Sequence, residues 1–179
     1  MTNEPTELRT FSVLVEDVPG VLNRVASLFR RRDFNILSLN VGGTHEAGVS
    51  RMTVVVAADE RTGRLIEANL YKLVNVLAVE DITERASVTR HLALIRVAAE
   101  AEQRATIREI CDMFRAKVVD VAHDSLMIEI AGTTEKIEGL SSLLSPFGIR
   151  EMVQTGAVAL TRGAGVPSAR TEGASREAA

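Results

Sequence analysis

The chain has 179 residues, enough for one medium domain or two small ones, and 46 % of them are hydrophobic, ample for a core. A formal net charge of −3 argues against nucleic acid or an acidic membrane surface as the main partner. The single cysteine, Cys111, excludes an internal disulfide framework and fits a reducing compartment; with no secretory signal in MTNEPTE and no apolar run near the roughly 18–20 residues that span a bilayer, a cytoplasmic protein is expected.

After that polar start, Arg9 to Glu16 alternates as a strand, with Phe11, Val13 and Val15 on one face and Thr10, Ser12, Leu14 and Glu16 on the other. Asp17-Val18-Pro19-Gly20-Val21-Leu22 then leads into a helix reaching Arg31. Pro19 is expected at its first position, where a fixed φ suits the first turn and a missing N–H costs nothing. Gly20 leaves no side chain over the free backbone N–H groups behind it, so a small carboxylate can dock there. Pro-Gly is also an ordinary strand-to-helix turn. Val21, Leu22, Val25, Leu28 and Phe29 recur as one apolar stripe.

Phe34 to Val41 reads as a second strand and Gly42 to Gly48, GGTHEAG, as a flexible connection to a third, Ser50 to Ala58. Asp59 and Glu60 open a second helix with Leu65, Ile66, Leu70, Leu73 and Val74 on its core face, and Val76 to Ile82 is the fourth strand. The order is βαββαβ.

A charged stretch leads to a second copy: a strand from His91 to Ala98, a helix with Ile107, Ile110, Cys111 and Phe114 inward, and paired strands Lys117–Val121 and Leu126–Ile130. A last helix, capped by Thr133 or Thr134 and buried through Ile137, Leu140 and Leu144, precedes a final strand from Ile149 to Leu160. The expected division is a tail (1–7), a first unit (8–83), a linker (84–90), a second unit (91–161) and a disordered tail (162–179). Phe29-Arg30-Arg31 is expected to match Phe114-Arg115-Ala116. The second copy reads Ala98-Ala99-Glu100-Ala101 after its first strand. A turn needed only for chain reversal should have kept Pro-Gly there too, which favours a functional Gly20.

No catalytic set is visible. His45, His91 and His123 lie in different elements, none at a metal-ligand spacing, and Cys111 sits on a core stripe as a small hydrophobe. Neither phosphate-loop pattern occurs, and the strands lack the aromatics that stack RNA bases. The residues point to a binder. The alternatives are a free-standing amino-acid sensor and a small enzyme on the same fold.

The runs FSVLVEDVPGVLNRVASLFRRRDFNILSLNVG, SRMTVVV, KLVNVLAV, FRAKVVDV and FGIREMVQTGAVALTRG resemble the small regulatory subunit of acetohydroxyacid (acetolactate) synthase, from about Arg9 to Gly163. The resemblance implies an α+β chain of two tandem ferredoxin-like βαββαβ domains, the first an ACT domain that pairs into a homodimer. It implies a non-catalytic subunit that activates a large catalytic subunit and confers feedback inhibition by valine or another branched-chain amino acid. Thiamine diphosphate, Mg and FAD would sit on that partner, with no cofactor or metal here. The effector site would comprise Asp17, Pro19, Gly20, Val21 and Leu22, closed by Asn35 and Ile36 from the partner chain. The chain departs from the family where Asp17 replaces Asn, Asp33 replaces a turn glycine and Leu37 replaces an acidic residue.

Overall fold

The computed structural model describes residues 7–163. Of the tails expected at residues 1–7 and 162–179, residues 1–6 and 164–179 lie outside the described residues, and Glu7 belongs to the first strand. The described residues divide into two compact units, the first made of 7–88 together with 159–163, the second of 89–158.

In the first unit, β1 (Glu7–Glu16) buries Phe11, Val13 and Val15 as its alternation predicts, but Ser12 and Leu14 on the opposite face are buried too. Helix α1 (Val21–Arg31) buries Val21, Val25, Leu28 and Phe29; Leu22, expected in the stripe, lies in the first turn and is 44 % exposed. The helix stops in a Schellman arrangement: Phe34 N–H bonds Phe29 O at 3.0 Å and Asp33 N–H bonds Arg30 O at 3.3 Å, with Asp33 at φ 56°. A glycine would take that φ without steric cost.

Strand β2 (Ile36–Gly43) begins and ends two residues later than predicted. Gly42 and Gly43 pair with Arg51 and Ser50 of β3 (Val49–Ala58), so the expected flexible connection is in part strand. Its remainder is tied down by the Thr44 hydroxyl, which accepts from Glu46 N–H at 3.1 Å and lies 3.0 Å from Val49 O. Helix α2 (Glu60–Leu70) starts at Asp59, whose carboxylate accepts from Thr62 N–H at 2.7 Å. Ile66 and Leu70 are buried, whereas Leu65 and Val74, expected inward, are 49 % and 84 % exposed. The helix ends at Leu70, so helical spacing no longer governs Val74. With β4 (Val76–Asp81) the antiparallel sheet runs β2-β3-β1-β4.

Gly63 of α2 is there for Arg9. A Cβ at Gly63 would lie 2.7 Å from Arg9 Cδ, and the buried guanidinium bonds Asp81 at 2.9 Å and Glu7 at 2.5 Å.

The second unit repeats the plan with β5 (Ser87–Ala98), a short 3-10 helix (Ala101–Gln103), α3 (Arg104–Met113), β6 (Lys117–Val121), β7 (Ser125–Gly132), α4 (Thr134–Leu144) and β8 (Ile149–Gln154). The sheet order is β6-β7-β5-β8, and β9 (Val158–Thr161) also pairs with β5. Both halves are thus ferredoxin-like βαββαβ folds. Two expectations change: β5 already starts within the presumed linker, and the single final strand is two. The break between β8 and β9 falls at Thr155, whose N–H bonds Leu92 O and whose hydroxyl accepts from Leu92 N–H.

The repeat has a constant spacing. Sheet irregularities at Leu14/Val15 and Ile36/Ser38 recur at Arg96/Val97 and Val118/Asp120, and the left-handed Asp33 recurs as Arg115, all 82 residues on. By that spacing Phe29 corresponds to Cys111, so the expected match of Phe29 with Phe114 is three residues out of step. After the β2–β3 hairpin the spacing falls to 76, because Phe11 pairs with Val54 but Ala93 with Ile130. The glycine-containing insert of the first copy accounts for the six residues.

Candidate functional site

Between β1 and α1 the chain turns tightly. Val21 N–H bonds Val18 O at 3.4 Å, and Gly20 has φ 86° and ψ −6°, as the third residue of a type II turn requires, with Pro19 as the second. Pro19 is therefore not the first helical residue. The helix starts at Val21, and Gly20 is its N-cap. The turn is held from both sides: Asp17 N–H bonds Gly48 O at 2.8 Å, and Glu16 N–H bonds Asn75 O at 2.9 Å.

No side chain caps α1, and its first turn has no acidic residue. The first helical amide to find a helical acceptor is that of Arg24, on Gly20 O at 3.0 Å. The other helix starts differ. Asp59 caps α2 and Thr133 caps α4. The second copy places Glu102 where the first has Gly20, inside the 3-10 helix, and a capping box of Glu100 and Gln103 binds the local amides. It makes its turn with other chemistry and consumes those donors internally.

Nothing lies within 4 Å of a Cβ built on Gly20, so the space above the α1 amides is open. Asp17, Val18, Pro19 and Gly20 are exposed. Val18 and Leu22, 43 % and 44 % exposed, flank the turn with aliphatic surface, while Val21 is buried and offers only backbone. Backbone donors at a positive helix end, one carboxylate and two aliphatic flanks suit a small zwitterion with an apolar side chain.

Asn35 and Ile36 are not brought to this turn within one chain. Ile36 shares a rung with Val56 and Arg9, whereas Asp17 follows the Glu16–Val49 rung. The seven residues between those rungs correspond to about 23 Å of strand rise.

Sequence reasoning missed Asn75. Its side chain donates to Glu16 at 2.6 Å and accepts from Arg24 at 2.7 Å, tying the loop before β4 to the first helical turn. A lone Asn in a loop carries no pattern that announces this. Gly48, at φ 78°, presents the carbonyl that holds Asp17 and was read only as loop.

The remaining candidates stay apart. His45 and His123 are exposed, and half-buried His91 sits near Thr155 O and the Thr134 hydroxyl. Among the described residues no group of three His, Cys, Asp or Glu could hold a metal ion, and no helix is long and apolar enough to cross a membrane. Cys111 is buried in the second core, and burial pushes its thiol pKa up.

Comparison with known proteins agrees with this architecture. A family model described as an AHAS small subunit-like ACT domain matches residues 11–78, and one described as the small subunit of acetolactate synthase matches residues 90–163. The acetolactate synthase small subunit of Mycolicibacterium smegmatis is 52 % identical over 88 % of this chain and 93 % of that protein. That of Mycobacterium leprae is 50 % identical over 91 % and 95 %. The crystal structure of the acetolactate synthase small subunit from Thermotoga maritima superposes with a TM-score of 0.82 at 37 % identity, covering 88 % of this chain and 99 % of that one.

Proposed function

This chain belongs to the family of acetolactate synthase small subunits, and on that premise we propose that it is the non-catalytic regulatory subunit that activates the thiamine-diphosphate-dependent catalytic subunit and makes it sensitive to valine or another branched-chain amino acid. The observation that carries the reading is that the match runs through both halves of the chain and nearly the whole length of the relatives. Thiamine diphosphate, Mg and FAD belong to the catalytic partner.

The effector docks at the Val18–Val21 turn. Its carboxylate takes the uncapped amides at the start of α1, its ammonium lies toward Asp17, and its side chain lies against Val18 and Leu22. Asn35 and Ile36 complete the pocket from a second copy. β2 is an edge strand, with Leu37 and Val41 half-exposed along it. Antiparallel pairing of two β2 edges brings the start of one strand beside the end of the other. That is the end at which β3 and the Gly48 loop meet Asp17. Binding there shifts the balance between two arrangements of the complex, with coupling on the order of 1–3 kcal/mol.

Calorimetric titration with valine, leucine and isoleucine tests the site, using Gly20→Asn and Gly20→Asp. Both residues tolerate a left-handed backbone better than most, so their difference isolates charge. We expect saturable binding of at least one amino acid, retained in weakened form by Gly20→Asn and lost in Gly20→Asp. Equal binding by all three proteins would contradict the assignment.

A further inference from the structure

The loop between α2 and β4 is held firmly beside the α1 turn. Val76 N–H bonds Leu73 O at 3.0 Å, closing a four-residue turn with Asn75 at its third position, and Leu73 and Val76 pack against the first core. From this mount Asn75 reaches both ends of the β1–α1 connection. Its carbonyl accepts from Glu16 N–H at 2.9 Å, its amide nitrogen donates to the Glu16 carboxylate at 2.6 Å, and its amide oxygen accepts from Arg24 at 2.7 Å. The amide serves an anion and a cation at once. An aspartate could not donate to Glu16, and an alanine could serve neither charge.

The second copy isolates what these side chains add. There the backbone bond recurs, with Ala98 N–H on Gly148 O at 2.9 Å. The tie from Asp17 N–H to Gly48 O reappears as Ala99 N–H to Asp124 O at 3.0 Å. At the 82-residue spacing Glu16 and Arg24 correspond to Ala98 and Thr106, and the shared carbonyl role makes Gly148 the counterpart of Asn75. The backbone frame of the turn therefore stands without the three side chains. They occur in the copy whose helix start is uncapped.

We propose that Asn75 is a positioning residue of the effector site: it fixes the first turn of α1 against the end of β1, so that the free amides face the ligand in one orientation. The inference rests on the reading of that turn as the effector's seat. Both ends of the Asn75 amide are engaged by Glu16 and Arg24, so its effect reaches the ligand through the turn. Donors fixed in advance lose less freedom when a ligand binds, which raises affinity without a new contact. Asn75 therefore scales affinity for every amino acid alike, whereas Val18 and Leu22, which flank the seat, discriminate among side chains.

Calorimetric titration of valine, leucine and isoleucine into the full chain tests this. Asn75→Ala keeps the backbone bonds and should weaken every amino acid that binds by about tenfold, as when the ordered turn is populated roughly a tenth of the time, with their ratio unchanged. Asn75→Asp keeps the shape but sets a second carboxylate against Glu16, and should weaken binding at least as much. Adding Glu16→Gln reverses the direction of that hydrogen bond, the new amide donating to the new carboxylate, and should return affinity to within about threefold of wild type. Glu16→Gln alone should not tighten binding, so the recovery measures coupling between the two positions, which no general loss of stability can give. Wild-type affinity in Asn75→Ala, an Asn75→Asp defect that Glu16→Gln leaves unchanged, or a changed ratio among the three amino acids would overturn this inference while leaving the effector's seat standing. A wild-type chain that binds none of them would overturn both.

Discussion

At Gly20 the backbone holds φ at 86° with open space where a side chain would stand, so the constraint is torsional and not steric. Gly20→Ala should lower stability by about 1–2 kcal/mol, the penalty for an L-residue in the left-handed region, with Gly20→Asn losing less. Gly63 presents the opposite case: its helical backbone welcomes alanine, but the methyl would run into Arg9. Removing a glycine from a helix interior gains about 1 kcal/mol, while overpacking a filled site costs roughly 1–3 kcal/mol. Gly63→Ala should therefore destabilise the native chain yet stabilise an Arg9→Ala background by up to about 1 kcal/mol. Urea unfolding of the four proteins reads this sign change. Neither role of glycine is written in local sequence. Pro19-Gly20 announces a turn, but which turn depends on torsions, and Gly63 is explained only by a residue 54 positions earlier.

Among elements, the strands and helices were legible from period-two and three-to-four-residue apolar spacing wherever one face meets the core. The errors have physical causes. Leu22 and Val74 lie in the first turn of a helix and beyond the end of one, where stripe geometry stops applying. Gly42 and Gly43 have no side chains to alternate, so their pairing with β3 left no pattern. Helix starts also set the acid response. Asp59 is held below its usual range by hydrogen bonds from Thr62, Glu135 by its bond with the Thr133 side chain, and Asp124 by the hydrogen bond and charge of Arg150. Groups with depressed folded pKa values contribute stability above their unfolded values and lose it as pH falls through the folded ones. The urea midpoint should thus be insensitive to these groups near neutrality and fall once pH drops below the ordinary carboxylate range. Asp59→Asn combined with Asp124→Asn should flatten that fall. The Asp124–Arg150 pair is an exposed ion pair, so added salt should weaken its contribution most.

For the whole molecule, duplication is the organising fact, and it was legible as two βαββαβ copies although their alignment was not. Helix-end torsions and sheet irregularities, invisible in residue identities, supply the 82-residue spacing. The Asp17–Leu22 turn stands out in the sequence as a candidate because Pro-Gly occurs in one copy and not the other. The contribution proposed for Asn35 and Ile36 rests on a second copy, and within one chain both lie far from that turn. We propose that this chain regulates an acetolactate synthase catalytic subunit through the α1 turn. The direct measurement is acetolactate formation by the purified catalytic subunit, with and without this chain, across a valine titration. The chain should co-elute with the catalytic subunit and raise its rate. A branched-chain amino acid should lower that rate, and Gly20→Asp should preserve activation while abolishing inhibition. Failure of the chain either to bind the catalytic subunit or to change its rate would rule out this regulatory role.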